Sequence, residues 1–243
     1  MSKEPQSGNA HIERSESPRD SDVAARRKRR ARFDPADTTA FTTSATEQRR
    51  RLHAIACGFT GDKSGARALL GDASERVRAS ALAALTRLGA ITLDEAQLLL
   101  HDPSPLVRRA LCELALRLPL VDFASLLEDE DPRVVEACAF CVGELELITA
   151  VPVLITVASG HADPLCRESA VAALGVIGDP AATATLIAAL DDVATVRRRA
   201  LIALSNFSGV EVETAMRAHL TDRDWQVRQA AEDLLGISAQ ERQ

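Results

Sequence analysis

The chain has 243 residues and a formal net charge of −6, with 46% hydrophobic, 26% charged and only 3% aromatic residues. That balance suits one soluble domain with a core of Ala, Leu and Val, and no apolar run approaches the ~20 residues of a membrane span. Five cysteines at scattered spacings make no disulfide framework, and the start Met1-Ser2-Lys3-Glu4-Pro5 lacks a signal-peptide centre, so a cytoplasmic location is expected.

Residues 1–44 are rich in Ser, Pro, Asp, Glu and Arg and show no apolar periodicity. Such a stretch cannot bury enough surface to offset its ordering entropy, so it reads as a disordered tail preceding a domain at 45–243. It holds the sharpest charge feature in the chain: Arg26, Arg27, Lys28, Arg29, Arg30 and Arg32. Residues 1–44 carry nine basic and seven acidic side chains, whereas 53–243 carry 17 basic and 27 acidic ones. A basic arm of this kind fits nucleic acid, anionic lipid or an acidic protein. A plain solvated tail is the simpler reading, since no aromatic residue is interleaved for base stacking.

From residue 72 onward one phrase recurs six times: an Asp, then a Val-Arg pair, then small residues, then a Leu about two turns on. The valine column reads Val77, Val107, Val135, Cys166, Val196 and Val227, and the next column Arg78, Arg108, Glu136, Arg167, Arg197 and Arg228. Four residues after the valine come Ala81, Leu111, Ala139, Ala170, Ala200 and Ala231; eight after it come Leu85, Ala115, Gly143, Leu174, Leu204 and Leu235. Steps of four and eight stay on one helical face, so each phrase predicts an amphipathic helix with a narrow stripe of small residues. The opening Asp (Asp72, Asp102, Asp131, Asp163, Asp192, Asp224) stands where an N-cap belongs, and Pro103, Pro132 and Pro164 follow directly.

Between phrases the sequence predicts a second, shorter apolar helix, at 64–70, 93–100, 121–127, 150–158, 181–190 and 212–220. Two helices every ~30 residues, neither able to bury its stripe alone, are the signature of an α-solenoid. The stretch 163–175 closely matches Asp-x-x-Val-Arg-x-x-Ala-x-x-Ala-Leu-Gly, with Cys166 in place of valine. In these residues the chain resembles HEAT repeats, specifically the short kind named after phycobilisome lyases, over about 46–236. The resemblance implies an all-α, right-handed solenoid of about six repeats with the phrase helices lining its concave side. It implies no single function, because such repeats serve unrelated tasks. Residues 46–59 read as a degenerate further copy: Gly58-Phe59-Thr60-Gly61-Asp62 aligns with Gly175-Val176-Ile177-Gly178-Asp179, which places Arg49 in the valine column as a solvated terminal cap.

Candidate chemistry is sparse. The run 58–64 hints at a phosphate loop, but it lacks the Gly-Lys-Ser/Thr ending and a preceding strand. Cys138 and Cys141 have redox or zinc spacing, yet no second pair completes a site, and Cys57, Cys112 and Cys166 also fall mostly at core columns. His101, His161 and His219 lie near turns and read as solvent-exposed fillers. Deoxyhypusine hydroxylase, built on similar repeats, holds two irons with His-Glu dipeptides, and this chain has none. HEAT-like DNA glycosylases use a basic, aromatic-lined cleft, which one Trp, no Tyr and an acidic domain do not supply.

The Arg and Asp columns fit structural pairing between neighbouring repeats, with an interruption at Glu136. In Arg197-Arg198-Arg199 three adjacent positions sweep ~200° of a helix, so at least one faces solvent. Positions two and six after each valine should line the inner face: Ala79/Ala83, Arg109/Glu113, Ala137/Cys141, Glu168/Ala172, Arg198/Ile202 and Gln229/Asp233. Phe140, Val171 and Leu201 should flank it, either packed between repeats or widening a groove for a partner helix or extended peptide. The expectation is a non-enzymatic protein-interaction scaffold with partner contacts at Arg109, Phe140, Val171, Arg198 and Ile202, and no catalytic, cofactor or metal residue. The basic arm at Arg26, Arg27, Lys28, Arg29, Arg30 and Arg32 would add an anionic contact. The alternatives are a phycobilisome-lyase-like enzyme or accessory protein, or nucleic-acid association through the arm.

Overall fold

A computed structural model describes residues 35–118 and 121–236, with side chains from Ser44 onward. The chain divides into two units, 1–46 and 47–243, and the second carries the repeats. Among the described residues there are twelve α-helices and no strand. Helix α1 is Pro35–Thr60, so it starts inside the segment whose composition reads as a tail. Arg26 to Arg32, the anionic-partner arm, lie outside the described residues.

Six pairs follow. Short helices α2 (Lys63–Ala68), α4 (Leu93–Leu99), α7 (Val151–Gly160), α9 (Thr183–Ala188) and α11 (Val210–Ala218) alternate with phrase helices α3 (Glu75–Arg87), α5 (Pro105–Glu113), α6 (Pro132–Glu144), α8 (Pro164–Ile177), α10 (Ala194–Leu204) and α12 (Trp225–Leu235). The short helix expected at 121–127 is instead a 3₁₀ segment, Ala124–Glu128, preceding α6. The result is an all-α solenoid with one continuous apolar core running from Cys57 to Ala231. All five cysteines are buried and form no disulfide.

The phrase helices stack on one another more closely than the short helices do. Small residues permit this approach. A Cβ added to Gly175 would lie 2.7 Å from the Ala203 Cα, one on Gly143 3.0 Å from the Ala173 Cα, and one on Gly58 3.0 Å from the Ala84 Cα. The neighbouring backbone thus excludes a Cβ at Gly175 and leaves little room for one at Gly143 and Gly58.

The helix caps correct two columns. Asp131, Asp163 and Asp224 are N-caps whose carboxylates accept from backbone N–H groups within their own helices. Asp72 and Asp102 are not; the caps there are Ser74 and Ser104, two residues later, and α10 is capped at Val193 rather than Asp192. The sequence therefore carries two aspartate positions that spacing alone merges. Counting from the cap also makes Val134, not Val135, the partner of Cys166 and Val227. In the third repeat the small residue is then Cys138 rather than Ala139, and the apolar one Val142 rather than Gly143, both fully buried. Gly143 falls into line with Gly175, and Val135, not Glu136, occupies the arginine position.

Candidate partner-binding face

The arginine column forms a ladder. Arg50, Arg78, Arg108, Arg167 and Arg197 each present Nε and Nη2 to both carboxylate oxygens of Asp72, Asp102, Asp129, Asp192 and Asp222 in the following repeat, at 2.6–3.1 Å. Nη1 of Arg78, Arg108, Arg167, Arg197 and Arg228 donates to a carbonyl in the turn before its own helix, those of Asp72, Asp102, His161, Asp192 and Asp222. Asp72, Asp102, Asp129 and Asp222 also accept the N–H two residues on. Each rung thereby fixes a turn, a helix and the next repeat together. The forks of these five arginines are occupied by carboxylates, so they act as a register device and not as an anion-binding track.

The ladder is broken in the third repeat, as expected, although through Val135. The aspartate it would have met is His161, whose Nδ1 accepts from the Asp163 N–H at 3.0 Å, as a carboxylate does elsewhere. His219 is likewise engaged, with its ring nitrogens 2.9 Å and 3.1 Å from the Ala215 and Leu190 carbonyls. These two histidines are half-buried parts of the turns rather than exposed fillers; His101 alone of the three is exposed.

Helical rotation sends the residues between the buried columns outward. With the third repeat re-registered, its outward pair is Glu136 and Phe140, both exposed, while Ala137 is half-buried and Cys141 buried. Phe140 stands 66% exposed, on the face itself rather than beside it. Val171 and Leu201 are fully buried and take no part in the surface: they point one position further round, into the core between repeats. Of the three adjacent arginines, Arg197 is buried in the ladder, Arg199 reaches the Glu168 carboxylate at 3.3 Å, and Arg198 is exposed.

Two grooves lie along this face. One, of about 250 Å³, is lined by Phe140, Gly143, Glu144, Glu168, Ser169, Ala172, Ala173, Val176 and Arg199. The other, of about 360 Å³, is lined by Arg198, Ile202, Trp225, Gln226, Gln229, Ala230, Asp233 and Leu234. Arg198 and Ile202 are thus brought together. Arg109 lies apart, pairing with Glu113 at 2.9 Å in a smaller recess shared with Glu75, Pro105, Leu106, Asp131 and Arg133.

Sequence reasoning missed Trp225 and Val176 as surface residues. Trp225 occupies the first position of α12, where Pro105, Pro132 and Pro164 stand in other repeats, and a side chain there projects away from the stack. That offset from the Asp224 cap was the available signal.

Residues 120–205 match the family model for HEAT repeats. Over these residues, about a third of the chain, the sequence is similar to HEAT repeats. Among solved structures, an engineered protein from a structural genomics consortium is 18% identical, with a TM-score of 0.55 over 72% of this chain and 97% of its own. Escherichia coli YibA is also 18% identical, with a TM-score of 0.51 over 71% of this chain and 69% of its own. Human deoxyhypusine hydroxylase aligns at 20% identity over 77% and 78% of the two chains, but its TM-score of 0.43 carries no argument about activity. A search of curated proteins finds no match. These likenesses concern the fold. Among the described residues no helix is long and apolar enough to cross a membrane.

Proposed function

We propose that the HEAT-repeat solenoid is a non-enzymatic protein-interaction scaffold whose phrase-helix face takes a partner segment carrying spaced apolar side chains. One observation supports this most. Phe140, Val176, Ile202, Trp225 and Leu234 stand between 38% and 66% exposed and gather on or beside two adjoining grooves, whereas other exposed apolar side chains such as Phe59, Leu98 and Val210 line neither. An aromatic anchor at each groove is the arrangement that concentrates binding energy in protein interfaces. The charges around them are mixed, with Glu144, Glu168 and Asp233 facing Arg198 and Arg199, so the face offers no continuous basic track for nucleic acid. The arm at residues 26–32 would add a second, electrostatic contact to an acidic part of the same partner.

Selection from a displayed peptide library tests the reading. Enriched peptides should share apolar residues at a regular spacing and should lose at least tenfold in affinity against Phe140→Ala or Trp225→Ala, equivalent to about 1.4 kcal/mol. Peptides that bind both variants as tightly as the parent chain would place recognition elsewhere.

A further inference from the structure

A second feature lies at the N-terminal end of the repeats, away from the grooves. His53 and Cys57 are four residues apart on one face of α1. The turn that follows brings Asp62 against them. The Cys57 Sγ is 3.9 Å from the His53 Nε2 and 3.7 Å from the Asp62 Oδ2. One ligand atom from each residue falls within 4.8 Å of the other two, the one such group among the described residues.

Two details set the carboxylate in place. Its Oδ1 accepts from the Gly65 N–H at 2.8 Å and from the Ser64 hydroxyl at 2.9 Å, capping α2. That leaves Oδ2 aimed at the thiol. Residue 65 must also be small, since a Cβ there would lie 2.2 Å from the Asp62 Oδ2 and 3.0 Å from the Cys57 Sγ. Cys57 forms the floor of the group, 1% exposed, and His53 is exposed at its rim.

We infer that His53, Cys57 and Asp62 form a three-ligand site for a divalent transition-metal ion of the zinc class, with the solvent side left for water. The donor set decides the class. A thiolate disfavours magnesium and calcium, and one imidazole, one thiolate and one carboxylate suit zinc. Zinc–ligand bonds of about 2.0–2.3 Å at tetrahedral angles put neighbouring ligand atoms about 3.4–3.6 Å apart. The two contacts to sulfur are within a few tenths of an ångström of that. The histidine–carboxylate separation closes by rotation of the exposed imidazole. Binding exchanges the thiol proton for the metal, one proton passing to solvent per ion. The bound ion would tie α1 to the turn before α2 and so clamp the terminal repeat, a role independent of the partner-binding proposal.

The test uses tag-free full-length protein, stripped with a chelator and titrated first with cobalt(II) and then with zinc(II). One equivalent of cobalt should give a near-ultraviolet thiolate-to-cobalt charge-transfer band, and one equivalent of zinc should abolish it. His53→Ala, at an exposed position, should melt like the parent in chelator yet bind zinc at least tenfold more weakly, and Cys57→Ala should remove the band. Asp62→Asn keeps a capping oxygen and should weaken binding without unfolding α2. No band, a band that survives Cys57→Ala, or equal zinc affinity in His53→Ala would each overturn the site. If Cys57→Ala fails to fold, the zinc affinity of His53→Ala alone decides.

Discussion

Gly175→Ala should destabilise the protein, against the ordinary trend. In a solvated helix the change is favourable by about 1 kcal/mol, because glycine has more backbone freedom to lose. At position 175 the new methyl would sit 2.6 Å from the Ala203 Cβ and 2.7 Å from its Cα, about 1 Å inside an ordinary carbon–carbon contact. The obstructing atoms belong to a helix backbone and its first side-chain carbon, which have no rotamer to move into. Relief requires α8 and α10 to separate, loosening the packing around Leu174 and Leu204, which are fully buried. Overpacking of this kind costs about 1–3 kcal/mol, so, with the helix gain of about 1 kcal/mol set against it, a net loss of about 1 kcal/mol is expected. For a domain of this size that lowers Tm by roughly 2–4 °C. Gly160→Ala, at the end of α7 with nothing within 4 Å of the added carbon, is the control and should be neutral or slightly stabilising. Gly143→Ala, with a 3.0 Å approach to Ala173, should fall between. Calorimetric melts of the three variants decide the matter: a Gly175→Ala protein as stable as Gly160→Ala would show that the helices are not in this close contact.

The ladder makes its own predictions. Arg197→Ala leaves the Asp222 carboxylate without its counter-charge and with only the Asp224 N–H donating to it; both side chains of the pair are under 10% exposed, so the change should cost about 3 kcal/mol. Arg50→Ala removes a pair whose arginine is 42% exposed and, screened by solvent, should cost far less; equal losses in urea titration would contradict the burial argument. The carboxyls of Asp72, Asp192 and Asp222 are held below their ordinary pKa, first by hydrogen bonds from Arg50, Arg167 and Arg197, with burial opposing. A depressed folded pKa means stability that is fully present above the unfolded value, about 3.9, and lost as pH falls from there through the lower folded value. Tm should therefore be level above about pH 5 and drop below about pH 4, more shallowly in Arg197→Ala; a melt unchanged down to pH 3 would refute it. Arg198→Glu should leave Tm within about 1 °C of the parent while altering affinity for any peptide with a charge beside its apolar anchors, as measured by titration calorimetry.

Much of the fold was legible because the repeat period and the four- and eight-residue columns follow from helix geometry alone. The all-α pairing, the interruption in the third repeat and the capping copy that brings Gly58 against Ala84 all follow from them. What spacing could not separate were two aspartates two residues apart, one capping its own helix and one held by the previous repeat's arginine. Asp129-Glu130-Asp131 and Asp222-Arg223-Asp224 contain both; Asp72 and Asp102 are followed by serine caps. Counting from the Asp131 cap likewise shifts the third repeat by one residue, and a one-residue shift is 100° of helix. That moved Phe140 onto the outward face and Cys141 off it. Val171 and Leu201 were misplaced for a different reason: in repeats stacked on both sides the buried arc is wider than in a surface helix. The His53–Cys57–Asp62 group was hidden because its third member comes from a turn whose path only the structure gives.

Amide and indole chemical-shift mapping with a selected peptide tests the partner-binding face most directly. Perturbations should cluster at Phe140, Val176, Ile202 and the Trp225 indole, on the outward face of α6, α8, α10 and α12. Perturbations confined to the short helices α4, α7, α9 and α11, or to residues 1–34, would contradict it.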